Sequence, residues 1–123
     1  MNQNNQNDYN RLLFEDGLSI IFIILNILNI KANTIIEEAI LSGNSKNITT
    51  ALKLYRFIIV INIFANSYFV LRNYSFYQNA INNDDNAKLE ELRLIGSLLI
   101  LIGTLIIAYT IFSEDIPIGD IEL

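Results

Sequence analysis

The chain has 123 residues, 52% of them hydrophobic and 17% charged, and a formal net charge of −5. Soluble domains carry about 25% charged residues, so this composition excludes a typical soluble domain, and the length allows only one domain. Nucleic acid is excluded as a partner, because 8 Lys and Arg against 13 Asp and Glu build no basic patch that could neutralise phosphates. With no Cys and no His, thiolate nucleophiles, imidazole bases and the usual zinc and haem sites are missing. No cofactor and no enzymatic activity are therefore expected. The chain also holds 24 Ile and 17 Asn, two residues with AT-rich codons, which makes a lone Asn in an apolar stretch less surprising.

Residues 1–10, MNQNNQNDYN, offer nothing to bury and are expected to form a disordered polar tail. A secretory signal is not indicated: Arg11 stands alone, Glu15 and Asp16 follow it, and no small-residue cleavage pattern appears. Three apolar segments then predict three transmembrane helices over about 12–31, 56–72 and 94–112 within a membrane domain spanning 11–113. The last segment, LIGSLLILIGTLIIAYTIF, has 19 residues without a charge, close to the roughly 20 that cross about 30 Å of hydrocarbon. The middle one is shorter but bracketed by Arg56 and Arg72, whose guanidinium groups can anchor at the two interfaces, with Tyr55, Tyr68 and Tyr74 as interfacial aromatics. The first spans only if Glu15, Asp16 and Lys31 sit at interfaces.

Between the first two spans Ile35, Ile36, Ala39 and Ile40 recur at helical spacing opposite Glu37 and Glu38. They predict that helix one continues out of the bilayer and turns at Ser42-Gly43-Asn44-Ser45. Gly43 is the left-handed cap and Ser45 or Asn47 the next N-cap. Ile48, Ala51, Leu52 and Tyr55 would then face Ile35, Ile36 and Ile40 in a protruding hairpin. Asn82-Asn83-Asp84-Asp85-Asn86 predicts the second turn, followed by an acidic helix start. Pro117 and Gly119 end the last helix, leaving a short acidic tail over 114–123 with Glu114, Asp115, Asp120 and Glu122. Lys and Arg divide four against four across the membrane, and only their density in the first loop favours placing that loop and the C-terminus in the cytoplasm.

Three helix faces are candidates for function. Ser19, Asn26, Asn29, Asn33 and Glu37 fall within about 80° on helix one, with Glu15 beside them, and Tyr55, Asn62, Asn66 and Asn73 within roughly 40° on helix two. Carboxamides are costly in hydrocarbon unless paired, so both stripes should meet protein or water. They could clamp helix one to helix two or line an aqueous path in an oligomer. On helix three Gly96, Gly103 and Thr110 repeat every seven residues beside Ser97, Thr104 and Ala108, a small-residue face suited to close helix packing. The adjacent carboxylate pairs point about 100° apart and read as solvated faces and caps.

These features predict an all-α integral membrane protein of three spans, multi-pass in the cell membrane, whose partners are the lipid bilayer and a second copy or another membrane protein. The expected role is that of a non-catalytic accessory or interaction subunit. The alternative is an oligomeric pore, holin-like or membrane-permeabilising, with the Asn stripes lining the path. In size and number of spans the chain resembles some phage holins, which end in a basic tail where this one ends acidic; the likeness is architectural.

Overall fold

The computed structural model describes residues 3–43 and 46–114, and three helices account for nearly all of them: α1 (Gln3–Ser42), α2 (Lys46–Asn82) and α3 (Lys88–Ser113). No strand occurs among the described residues. The helices are 40, 37 and 26 residues long. Each is long and apolar enough to cross a membrane, as the three apolar segments predict. The chain divides into two compact units, Met1–Leu54 and Tyr55–Leu123, so α2 contributes to both.

In the first unit, α1 begins at Gln3 rather than after residue 10. The stretch expected to be a disordered tail is thus helical over 3–10, and side-chain pairs one turn apart explain why. Gln6 donates to Asn10 at 3.1 Å, and Arg11 reaches Asp8 at 3.9 Å and Glu15 at 3.2 Å. Pairs at these spacings each support a helix by a few tenths of a kcal/mol. The Arg11 bond also gives Glu15, a carboxylate inside the apolar segment, a counter-charge one turn back.

Further along α1 the buried residues are Leu25, Ala32 and Ala39, seven apart. Ile35 and Ile36 are half-buried as expected, but Ile40 is exposed and Ala39 takes the inward position. The face is turned by one residue, because a methyl group lets backbones approach where a branched side chain would hold them apart. On α2, Ile48, Ala51 and Leu52 are buried. α2 starts at Lys46, so Asn47 lies inside its first turn and does not cap it. Asn44, Ser45 and the stretch from Asp115 onward, with Pro117, Gly119 and the acidic tail, lie outside the described residues.

Both helix ends that precede turns use the left-handed region. Gly43 has φ 71° and its N–H donates to the Ala39 carbonyl at 2.8 Å. At the end of α2, Asp84 has φ 54°. Its N–H reaches the Ile81 carbonyl at 3.2 Å, and the Asp85 N–H reaches Ala80 at 2.9 Å. This is the paired Schellman pattern, with Asp tolerated where Gly is usual. The Asn86 carboxamide then accepts the Lys88 N–H at 3.1 Å, and Glu90 and Glu91 fill the first turn of α3. Asn86 and the two acids satisfy and complement the electropositive helix start.

Small residues dominate the interior. Ala32, Ala39, Ala51, Ala65, Ser97, Thr104 and Ala108 are buried, while Ile27, Phe64, Leu99 and Ile106 are each at least 60% exposed. Replacing Gly43 by Ala puts a Cβ into a left-handed residue and should cost about 1 kcal/mol, with no change in helicity. Reversible unfolding in detergent, followed by circular dichroism, measures the difference, and unchanged stability would show that Gly43 does not set this turn.

Candidate functional site

The second unit contains the most developed polar arrangement, a seam between α2 and α3. Three contacts define it, and they place the two helices antiparallel. At one end the Arg56 Nη2 donates to the Glu114 carbonyl at 3.1 Å, and the guanidinium lies 5.5 Å from the centre of the Phe112 ring. Near the middle the Asn66 Nδ2 donates to the Thr104 hydroxyl at 2.9 Å. At the other end the Asn73 Nδ2 reaches the Arg93 carbonyl at 3.4 Å. Ten residues separate Arg56 from Asn66 on α2, and ten separate Thr104 from Glu114 on α3. The register is therefore set by side-chain chemistry as well as by shape.

Each contact satisfies a group that would otherwise be left over. Glu114 is the C-cap of α3, where the last carbonyls have no partner within the helix and the dipole is negative. A guanidinium answers both needs. The Thr104 hydroxyl donates back to the Ile100 carbonyl at 2.8 Å, so its lone pairs are available to Asn66. Thr104 can approach because Ser97, Thr104 and Ala108 are the buried residues of α3. Ser97 likewise turns its hydroxyl onto its own helix, donating to Leu94 at 2.8 Å.

Arg72 is held on α2 itself. Its Nε and Nη2 donate to the Asn73 carboxamide oxygen at 3.3 and 3.1 Å. Its guanidinium lies 4.8 Å from the Phe69 ring centre and 5.7 Å from that of Phe76, within the range of cation–π attraction. Across from it on α3, Arg93 donates to Glu90 at 3.0 Å. Between the two arginines opens a cleft of about 340 Å³. Asn73, Ser97 and Asn66 border it, and Phe69, Gly96 and Ile100 supply its apolar walls.

The candidate residues from the sequence are thus used unequally. Asn66 and Asn73 bond to α3, whereas the sequence pattern suggested helix one as their partner. Asn62 is half-buried, and Asn26, Asn29 and Asn33 are exposed. Thr104 and Ala108 are buried. Gly96 and Gly103 lie beside that face with nothing within 4 Å of where a Cβ would stand, and Thr110 is exposed. The packing face of α3 is offset by one residue from the glycine repeat. Arg56 and Arg72 sit at opposite ends of the seam, and Arg56 caps a neighbouring helix. The cleft residues Arg93 and Phe69 were not candidates. A signal for Arg93 exists in retrospect: it and Arg72 border apolar segments at the two ends that antiparallel pairing brings together.

A comparison with protein-family models finds no match, and neither curated proteins nor solved structures yield one.

Two measurements test the seam. A double-mutant cycle on Asn66→Leu and Thr104→Val, read by unfolding in detergent, should give a coupling of about 0.6 to 2 kcal/mol, the range for hydrogen bonds between membrane helices; zero coupling would remove this bond from the account. Arg56→Met should speed amide exchange over the last turn of α3, residues 110–114, and leave the first turn of α3 unchanged. Uniform acceleration along α3 would mean that Arg56 supports the pairing as a whole and is not a local cap.

Proposed function

We propose that the chain is a non-catalytic integral membrane protein that acts as an interaction subunit, with α1 presenting its polar face to a second copy or to another membrane protein. In this reading the spans are 12–31, 56–72 and 94–112, the end of α1 and the start of α2 protrude as a hairpin, and the protein resides in the cell membrane. The inverted distribution of side chains supports the membrane setting. Burying one Ile or Leu from water is worth about 1.5 to 3 kcal/mol, yet Ile23, Ile27, Phe64, Leu99 and Ile106 all point outward. In lipid such exposure costs nothing, and close approach of small residues becomes the main source of helix association.

The observation that carries the interaction role is the state of Asn26 and Asn29. Both are exposed in the apolar stretch of α1, and among the described residues their carboxamides have no hydrogen-bond partner. An unpaired amide in hydrocarbon costs several kcal/mol, so a partner from outside the chain would be stabilised by supplying one. The same exposed row, which continues through Asn33 to Glu37, favours a second reading in which several copies turn this face toward a shared water path. At 14.0 kDa with three helices, one copy cannot enclose such a path.

One set of experiments separates the readings. The tagged chain should resist alkaline carbonate extraction from membranes and, after mild solubilisation, run as an assembly larger than one protomer. Asn26→Leu/Asn29→Leu should shift it to the monomer at equal membrane abundance. A monomeric wild type indistinguishable from the double variant would overturn the interaction role. A collapse of membrane potential on expression, seen with a voltage-sensitive dye and abolished by the double variant, would replace it with the pore.

A further inference from the structure

We propose that the cleft between Arg72 and Arg93 is a binding site for the headgroup phosphate of an anionic phospholipid. The inference rests on the reading that α2 and α3 cross the bilayer. Arg72 closes the apolar segment of α2 and Arg93 opens that of α3, and both border the same cleft. They therefore stand at the same membrane interface, where lipid phosphates lie.

The cleft is graded in the way a phospholipid is. Two guanidinium groups line it, those of Arg72 and Arg93, and no carboxylate is among its lining residues. The guanidinium of Arg72 is oriented by the Asn73 carboxamide and the Phe69 and Phe76 rings, which lowers the entropy cost of fixing it on a ligand. Arg93 is tethered through one nitrogen to Glu90, and its side chain remains 62% exposed. Guanidinium forks bind phosphate oxygens two at a time, and basic pockets between membrane helices are suited to anionic headgroups. From Arg93 to Ile100 the cleft descends seven residues of α3, and from Arg72 to Asn66 six residues of α2. At 1.5 Å per residue both distances are about 10 Å, enough for the glycerol region and the first methylenes of an acyl chain. Phe69, Gly96 and Ile100 wall that depth. The hydroxyl of Ser97 is turned away to Leu94. Gly96 lines the cleft, and a Cβ built on it would meet nothing within 4 Å. A free inorganic anion would use the two arginines and leave the apolar depth empty, so the shape favours the lipid.

The test uses the full chain purified in a zwitterionic detergent, offered equal amounts of dioleoylphosphatidylglycerol and dioleoylphosphatidylcholine, with retained lipid counted by native mass spectrometry. One phosphatidylglycerol should be retained in preference to phosphatidylcholine. Arg72→Gln and Arg93→Gln should each lower that retention about fivefold, the effect of one basic residue at an anionic surface. Gly96→Leu keeps both charges but fills the cleft, and it should lower retention as well, with helicity unchanged by circular dichroism. Equal retention of the two lipids, or indifference to all three substitutions, would overturn the proposal. So would displacement of the lipid by millimolar inorganic phosphate, which would make the cleft a site for soluble anions. Carbonate extraction keeps the two levels apart: a chain that resists it but shows no lipid preference loses this inference alone.

Discussion

An amide that has left water must be answered by protein, and the Asn66 to Thr104 hydrogen bond at 2.9 Å is where this chain meets that requirement most directly. The bond needs an acceptor whose own proton is committed elsewhere, which the Thr104 hydroxyl achieves by donating to Ile100. It also needs two backbones close enough for a short carboxamide to bridge them. That second need accounts for the buried Ser97, Thr104 and Ala108 on α3 and for Ala65 one residue before Asn66 on α2. Larger side chains at those positions would lengthen the bond beyond use. The polar pair and the small-residue face are therefore two parts of one solution.

The same logic orders the ends of the seam. The end of a helix leaves carbonyl groups that the helix itself cannot satisfy. Arg56 supplies a charged donor to the C-cap carbonyl of α3, whereas near the opposite end the buried Asn73 amide finds an acceptor for itself in the Arg93 carbonyl within the helix. The pairing is specified by groups whose misplacement would be costly, while the apolar positions between them are nearly interchangeable. Of the Ile residues in this pair, Ile100, Ile102, Ile106 and Ile107 face outward, whereas Ile58 and Ile59 on α2 are buried.

The three helices were legible in the sequence because each contains a long apolar run, which needs no tertiary information to recognise. The turns at Gly43 and Asp84 were legible too, since few residues adopt a left-handed backbone cheaply. What the sequence left open is which side chain meets which. Asn66 and Asn73 share an arc with Asn62 and Tyr55, and an arc names a face without naming its neighbour. The inward turn from Ile40 to Ala39 and the offset from Gly96 and Gly103 to Ser97 and Thr104 are each a rotation by one residue, about 100°. Hydrophobic periodicity cannot resolve that rotation when both sides of a helix are apolar. The helical start at Gln3 escaped composition for a different reason. It depends on specific pairs at spacings of three and four, Arg11 with Asp8 and Glu15 above all, and counting polar residues discards spacing.

The helices then differ in how far their polar groups are satisfied from within the chain. On the α2 and α3 seam, Asn66, Asn73, Ser97, Thr104 and the Arg56 Nη2 have named partners, while the buried Arg56 Nε has none among the described residues. On α1 the carboxamides of Asn26 and Asn29 face outward in the middle of an apolar run. A residue that only tolerates lipid would gain from replacement by Leu, which helical propensity and hydrophobicity both favour. Codon bias can supply one such Asn, but it has no preference for placing two on one exposed face, three residues apart and in line with Ser19, Asn33 and Glu37. On the proposed reading, the seam with its own hydrogen bonds is the scaffold and α1 is the element whose polar face another molecule would complete. This division predicts where substitutions matter: changes on the seam act on folding, whereas changes on the α1 face act on assembly and leave the fold intact.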